Sequence, residues 1–346
     1  HQPATFGLRV GGGLSNTPML AVPLPVRVAA DQVVPVAAAI AGLFRDRDEL
    51  RQSRTKARLK FLFLQHGWTP ARFLAELEAL LGFRLQRSEP DAPPPSDFRD
   101  HVGVHRQKQP GLYFAGASIA RGRLDADQLE ALAEGAARWG GGEVRLTAMQ
   151  NAVIPHLREP GVAPLVKHLR RWDLPVEASS FRRGVMSCTG KEFCKLAVTE
   201  TKAFAAGLIA EMERRLPGYP FPLRINVNGC PNSCGQHWIA DIGLQGMRVK
   251  TPDGPADGFD VYLGGGLGAG ARLGRKTLGR VAARDLPDRL ESLCRYFLAE
   301  RGEDESFRDF VEREGTEELE LVLGTLAAAE VPLRSHDSFV PVEELG

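Results

Sequence analysis

Two segments of this chain repeat one another without a gap, although they lie far apart in the sequence. Residues 6–44 can be laid on residues 259–297 at a constant offset of 253, and both copies then share the runs Gly-Gly-Gly-Leu and Arg-Val-Ala-Ala at matching positions. This period is far longer than that of solenoid repeats. We therefore predict a duplicated domain, of which the first copy is represented only by its C-terminal end.

Four of the five cysteines fall into two close pairs. Cys188 and Cys194 form a C-x5-C motif, and Cys230 and Cys234 form a C-x3-C motif after a further 35 residues. Five cysteines in a chain of 346 residues do not make a disulfide framework, whereas four thiolates suit zinc or an iron–sulfur cluster. Structural zinc usually takes tighter pairs. The wide, unequal gaps therefore favour a cluster, and a non-catalytic protein stapled by zinc is the alternative.

The composition is that of an ordinary soluble protein, with 43% hydrophobic residues, 25% charged residues and a formal net charge of +1. No charged tail points to nucleic acid or a membrane surface, and no apolar run approaches the length of a membrane span. Metal-binding thiolates are typical of a reducing compartment, so we expect a cytoplasmic protein. The chain begins at His1 and runs directly into strand-like sequence, which we interpret as the middle of a longer protein.

Local patterns predict three domains, a linker and a tail. Residues 1–88 would form the end of the first repeat, including a helix with Gly82 at its C-terminus, and the proline-rich residues 89–98 would form a linker. Residues 99–174 predict the order strand–helix–strand–strand–helix, with Asp125 as a helix cap, which is typical of half-ferredoxin-like modules. Residues 177–323 hold the paired cysteines, and residues 324–346 would form a C-terminal tail.

The cysteine motifs carry a family resemblance. Residues 186–194 (MSCTGKEFC) and 228–235 (NGCPNSCG) resemble the two halves of the siroheme and 4Fe–4S signature of assimilatory nitrite and sulfite reductases. The segments 103–111 (GVHRQKQPG), 145–151 (RLTAMQN) and 240–246 (ADIGLQG) are similar to further parts of that family. The resemblance covers nearly the whole chain. It implies an α+β fold with the duplicated nitrite/sulfite reductase architecture, a half-ferredoxin-like module and a mixed α/β domain for siroheme and cluster.

The same resemblance implies a set of cofactor ligands. Cys188, Cys194, Cys230 and Cys234 would ligate one 4Fe–4S cluster, and Cys234 would also be the axial ligand of the siroheme iron. Three further residues are predicted to bind the cofactors, namely Asn232 in the second motif and Arg182 and Arg183, whose guanidinium groups could pair with siroheme carboxylates; ordinary surface arginines are the alternative. The catalytic, anion-binding residues are expected mainly in the first half of the family's chain, which this sequence lacks.

The implied activity is the six-electron reduction of nitrite to ammonia, with ferredoxin as the electron donor. Gln236, directly after Cys234 and Gly235, resembles the nitrite branch, whereas sulfite reductases more often carry Arg there. Reduction of sulfite to sulfide is the alternative, and precorrin-3B synthase, which shares the cysteine signature, is a more distant one. The partners expected are therefore ferredoxin and a small anion, with neither nucleic acid nor membrane.

Four weaker signals complete the sequence-based expectations. Cys194 is predicted to open a helix, whose dipole would stabilise its thiolate. Cys294 is interpreted as a buried small hydrophobe. The basic run within residues 51–60 is interpreted as a solvated helix face, with a docking patch for acidic ferredoxin as the alternative. His105, His156 and His237 lack the spacing of metal ligands and are interpreted as ordinary surface or core histidines.

Overall fold

The structure, a computed structural model, describes residues 4–93 and 100–325. The chain divides into two units, one within residues 1–97 together with 266–273, and the other within residues 98–265 together with 274–346. The end of the predicted linker and most of the predicted tail lie outside the described residues. In the described part, no helix is both long and apolar enough to cross a bilayer.

The first unit pairs a three-stranded antiparallel sheet, in the order β1-β2-β3, with three helices. The helix that was predicted to end at Gly82 does so, because Gly82 adopts the left-handed conformation at φ 71° and Thr69 caps the other end. The elements are β1 (Thr5–Val10), β2 (Val22–Ala29), α1 (Val33–Asp46), α2 (Lys60–Leu64), α3 (Pro70–Leu81) and β3 (Gln86–Arg87).

The second unit begins with a small antiparallel sheet in the order β4-β5-β7-β6, against which two helices pack. Asp125 caps the first of these helices through the backbone N–H of Gln128, as predicted. One strand precedes the predicted order, since the chain enters the sheet at β4. The elements are β4 (Gly103–Arg106), β5 (Tyr113–Ala117), α4 (Ala126–Trp139), β6 (Arg145–Leu146), β7 (Ala152–Leu157) and α5 (Glu159–Arg171).

The rest of the second unit is built on a mixed sheet in the order β12-β11-β10-β9-β8. Its strands β8, β9 and β10 are parallel, and β10, β11 and β12 are antiparallel. The elements are α6 (Ser180–Gly184), β8 (Val185–Ser187), α7 (Lys202–Arg215), β9 (Ile225–Asn228), β10 (Ile242–Thr251), β11 (Gly254–Leu263), β12 (Arg275–Ala282), α8 (Leu286–Glu300), α9 (Phe307–Glu314) and α10 (Thr316–Thr325).

The two copies of the repeat fold alike, as predicted. Strand β2 and strand β12 begin and end at equivalent positions, and each is followed by a 3-10 turn and a helix. The strand pairing has the same register in both copies, because Phe6 lies opposite Val28 and Phe259 lies opposite Val281. The duplicated sequence therefore encodes a duplicated hairpin and helix.

Strand β9 separates an apolar face of the mixed sheet from a polar one. Ile225 and Val227 belong to the main hydrophobic core, with α7, α8 and α9. Asn226 and Asn228 alternate with them and so point to the opposite face. Both asparagines are nevertheless buried, which requires polar partners. That polar face supports the cysteine loops.

Candidate metal centre

The two cysteine motifs begin at the carboxyl ends of neighbouring parallel strands. Cys188 follows β8 directly, and only Gly229 separates Cys230 from the end of β9. The strand pairing continues one step further, since the backbone N–H of Cys188 donates to the carbonyl of Val227 at 2.9 Å. Loops at the carboxyl ends of adjacent parallel strands lie at one edge of the sheet, which is where such folds form their binding sites.

A direct hydrogen bond joins the two motifs, and a second one joins Cys188 to the segment that follows the first motif. The backbone N–H of Gly229 donates to Sγ of Cys188 at 3.2 Å, and the hydroxyl of Thr201 donates to the carbonyl of Cys188 at 2.7 Å. A Cβ on Gly229 would lie 2.9 Å from the carbonyl oxygen of Thr199. The close approach of the two segments therefore requires glycine at this position.

The segment of Cys194 is a series of turns rather than a helix. Its N–H donates to Gly190 at 3.0 Å, and its carbonyl accepts from Ala197 at 3.1 Å. Helix α7 begins only at Lys202. The prediction that Cys194 opens a helix was wrong, because the apolar stripe that suggested it belongs to residues further along the chain. A helix dipole therefore does not act on this thiol.

The turn that presents Cys234 is held by the polar face of β9. The side chain of Asn228 accepts from the backbone N–H of Gly235 at 2.6 Å, and that of Asn226 donates to the carbonyl of Gln236 at 3.1 Å. Gln236 adopts a left-handed backbone at φ 61°. Two buried amides thus fix the backbone on the C-terminal side of Cys234.

The four motif thiols lie within electrostatic reach of one another. The pKa of Cys234 is raised by burial first, and then by the charges of Cys188, Cys230 and Cys194. Cys234 is the exposed member of the set, whereas the other three are partly buried. All four thiols are free of disulfides. The thiol predicted to be shared between two cofactors is thus the one that faces outward.

Buried polar groups beside the cysteines fit a site that binds a further group. In residues 4–93 and 100–325, no three side chains of the types His, Cys, Asp or Glu come together closely enough for a single metal ion. The side-chain nitrogen of Asn228 and Oγ of Ser233 are buried without a hydrogen-bond partner among the described residues. Such groups fit a site in which a bound cofactor or water supplies their hydrogen-bond partner.

The two predicted siroheme-binding arginines have other partners in the structure. Arg183 forms a bidentate ion pair with Asp100 at 2.7 and 2.9 Å, and this pairing raises the pKa of the guanidinium. Arg182 donates to the carbonyl of Asp173 at 2.8 Å and contacts its carboxylate at 3.0 Å. Asn232 is exposed beside the cysteines. A role of these residues in cofactor binding stays a prediction.

The basic run in residues 51–60 is not a helix face. It consists of turns and a short 3-10 helix at Arg54–Lys56, and α2 starts only at its last residue. Lys60 itself is 4% exposed, and its ammonium donates to the carbonyls of Gly13, Leu14 and Thr17 at 3.2, 2.5 and 2.6 Å. The interpretation of a solvated helix face was therefore wrong for this lysine. The prediction failed because the segment is not one continuous helix and Lys60 bonds to carbonyls that are distant in the sequence.

A second buried lysine was missed by sequence reasoning. Lys202 is 9% exposed at the start of α7. Its ammonium interacts electrostatically with Cys188. Nothing in the local pattern distinguishes it from the exposed lysines of the chain. The only available signal was its position shortly after the first cysteine motif.

Comparisons with known proteins identify the family of this chain. The family model of the nitrite and sulphite reductase 4Fe-4S domain matches residues 2–85 and 178–328, and that of the nitrite/sulfite reductase ferredoxin-like half domain matches residues 105–172. Among curated proteins, "Sulfite reductase [ferredoxin] 1" of Mycolicibacterium paratuberculosis is 39% identical over 92% of this chain and 58% of its own length. "Ferredoxin--nitrite reductase" of Synechococcus elongatus is 38% identical over 85% of this chain and 57% of its own length.

Solved structures give the same result. The Mycobacterium tuberculosis NirA protein superimposes with a TM-score of 0.84 at 38% identity, covering 90% of this chain and 58% of that one. A dissimilatory sulfite reductase I shares the fold alone, with a TM-score of 0.52 at 14% identity. The chain thus spans somewhat more than half the length of the relatives it matches. It belongs to the nitrite and sulfite reductase family, with the α+β, internally duplicated fold that its sequence predicted.

Proposed function

We propose that this chain is the cofactor-binding part of a ferredoxin-dependent enzyme that reduces nitrite to ammonia with six electrons. The observation that carries the proposal is the contact between the two distant cysteine motifs, in which the N–H of Gly229 donates to Sγ of Cys188 and Cys234 is exposed. The family membership supports the same conclusion. Since the chain covers only part of its relatives, the activity belongs to the longer protein that contains it.

The residues of this chain would hold and tune the cofactors. Cys188, Cys194, Cys230 and Cys234 would ligate a 4Fe–4S cluster, and Cys234 would also bind the siroheme iron. When bound, this cofactor pair supplies the electron storage and the iron site that a multi-electron reduction needs. The N–H of Gly229 stabilises negative charge on the Cys188 sulfur, and hydrogen bonds to the sulfurs raise the potential of such centres.

Nitrite is proposed as the substrate on the strength of Gln236, which follows the last cysteine as in the nitrite branch. Sulfite is the second candidate, supported by the printed names of the mycobacterial relatives. Identity does not separate the two, because the cyanobacterial nitrite reductase and the mycobacterial sulfite reductases are equally similar to this chain. Ferredoxin is the proposed electron donor, in agreement with the names of both groups.

Purification of the full-length protein tests the cofactor proposal. We expect a Soret band, absorption in the red, four cluster irons with acid-labile sulfide, and one siroheme iron. A colourless protein that contains zinc would support the alternative of a zinc-stapled fold. Substitution of Cys234 by Ser should abolish the coupling between siroheme and cluster, whereas Cys294→Ala, in the hydrophobic core, should leave the spectrum unchanged.

Steady-state assays with reduced ferredoxin test the substrate. We expect a higher kcat/KM for nitrite than for sulfite. The reverse order would assign the chain to the sulfite branch. If Cys234→Ser kept both activities, the assignment of Cys234 as the axial ligand would be contradicted.

A further inference from the structure

Lys202 is a buried cation beside the first cysteine motif. Its ammonium donates to the carbonyl of Arg121 at 2.5 Å, to the carbonyl of Ser187 at 3.0 Å and to the side-chain oxygen of Gln150 at 3.3 Å. Ser187 directly precedes Cys188. The lysine is 9% exposed, so its charge is largely removed from solvent screening.

The hydrogen-bond partners match the charged form of this lysine. All three are acceptors, and an ammonium has three N–H groups to donate. None of these oxygens carries a formal charge, so the positive charge is solvated by dipoles but is not neutralised by them. Burial lowers the pKa of Lys202, and the opposing, favourable contribution comes from Cys188. The ammonium is adjacent to a predicted metal ligand, because it donates to the carbonyl of the residue that precedes Cys188.

The surroundings of Lys202 are held by unusual backbone conformations. Arg121 and Gln150, which supply two of its three acceptors, are both left-handed, with φ of 53° and 61°. Such conformations cost about 1–3 kcal/mol for non-glycine residues and persist where the surrounding structure requires them. Gln150 also donates to the Ser187 carbonyl at 2.8 Å. The packing that enforces these two conformations places two oxygens of the half-ferredoxin-like module against the start of α7.

We propose that Lys202 tunes the metal centre: its fixed positive charge stabilises the reduced state of the cluster and raises its reduction potential. The inference rests on the proposed function, since it requires a cluster at the four cysteines. Reduction by one electron, supplied by ferredoxin or by dithionite, adds one negative charge to the centre and makes or breaks no bond. A cation held near Cys188 favours that added charge, because net charge is one of the factors that set cluster potentials.

The test is a redox titration of the full-length holoenzyme, followed by the EPR signal of the reduced cluster. We expect Lys202→Gln to make reduction about tenfold less favourable, which is a shift of about 59 mV to more negative potential for one electron. Lys202→Arg keeps the charge and should restore most of the potential. Lys195→Gln is the matched control, because Lys195 is exposed and directly follows Cys194.

The salt dependence of the reduction potential distinguishes the effect of a buried charge from that of an exposed one. Any shift caused by Lys195→Gln should vanish at about 1 M salt, where the Debye length is about 3 Å, whereas the shift caused by Lys202→Gln should persist. A purely structural role for Lys202 would change cofactor content or stability but would leave the potential of the loaded protein unchanged.

The outcomes distinguish this inference from the proposed function. If the wild-type protein contains no iron–sulfur cluster, the proposed function fails and the inference with it. If Lys202→Gln keeps its spectrum and its potential, only the inference is overturned. If Lys202→Gln does not incorporate the cluster, Gln150→Glu is the second variant. It places a neutralising carboxylate beside the ammonium and should also make the reduction potential more negative. An unchanged potential in that variant, or loss of the cluster in both, would mean that Lys202 is structural.

Discussion

Gly229 donates its backbone N–H to Sγ of Cys188 across 3.2 Å. This bond joins the loop after β9 to a sulfur of the loop after β8, so the two motifs are positioned relative to one another before any cofactor is considered. The carbonyl of the same glycine accepts from Val198 at 2.8 Å. A single residue therefore contacts both Cys188 and the segment that follows the first motif.

Gly229→Ala should impair assembly of the metal centre. The added Cβ would lie 2.9 Å from the Thr199 carbonyl and 3.0 Å from the Cβ of Ala197, so the loop must move and the N–H···S bond must lengthen. We expect a clear loss of bound iron and acid-labile sulfide per protein. Gly207→Ala is the control, because Gly207 is an exposed position of α7 where a Cβ meets nothing within 4 Å. It should stabilise the fold by up to about 1 kcal/mol.

Cys294 should behave as a core residue and not as a ligand. It is fully buried on α8, and burial raises the pKa of its thiol to about 12. The thiol is therefore neutral at pH 8, and we expect no reaction with a thiol reagent until denaturant unfolds the protein. Cys294→Ala should cost about 1 kcal/mol in the free energy of unfolding and retain the full iron content. Rapid labelling of Cys294 in the native protein would contradict its burial.

The ion pair between Arg183 and Asp100 should contribute to stability as a unit. Asp100 is 6% exposed and also accepts from the N–H of Val102 at 2.9 Å. Because Arg183 is partly exposed, we expect Asp100→Asn or Arg183→Met to cost about 2 kcal/mol, which is less than for a fully buried pair. The double variant should cost less than the sum of the two, as measured by chemical denaturation. Strict additivity would show that the two side chains do not depend on each other.

His237 should make the protein less stable in acid. It is fully buried between the rings of Trp238 and Tyr262, with centroids 5.0 Å away in each case. Burial lowers its pKa from 6.5 to about 4, against an opposing contribution from Gln245. Between these pH values the unfolded chain binds a proton that the folded chain does not, so stability falls as the pH falls from 6.5 towards 4, by up to about 3 kcal/mol in total.

Substitution of His237 by Phe should flatten this part of the pH profile while keeping the ring packing. The measurement is the free energy of unfolding in urea at several pH values between 4 and 7. An unchanged slope in the variant would assign the acid sensitivity to other groups. Wild-type stability that is independent of pH in this range would contradict the lowered pKa.

Much of the fold was readable from the sequence because it depends on local or repeated patterns. The gapless repeat predicted that β1, β2 and α1 would correspond to β11, β12 and α8, and they do, down to the strand register. Gly82 and Asp125 end and begin their helices as predicted, since capping depends on residues close in the chain. The family assignment followed from two short motifs of high specificity.

The start of α7 and the partners of individual charged residues could not be predicted from local sequence patterns. Cys194 lies in turns eight residues before α7, and periodicity alone did not locate the start of that helix. Arg183 is bonded to a carboxylate 83 residues away in the chain, and no local pattern contains such a partner. The ligand roles predicted for Arg182, Arg183 and Asn232 stay predictions.

By itself, the sequence determined the family, most of the helices and strands and the duplication of a hairpin and helix, because these follow from motif spacing, local patterns and repetition. Only the tertiary structure decided that Lys202 and Lys60 are buried among carbonyl oxygens. The physical reason is that burial and solvation of a charge depend on which distant backbone groups surround it. That environment exists only once the strands and loops have packed.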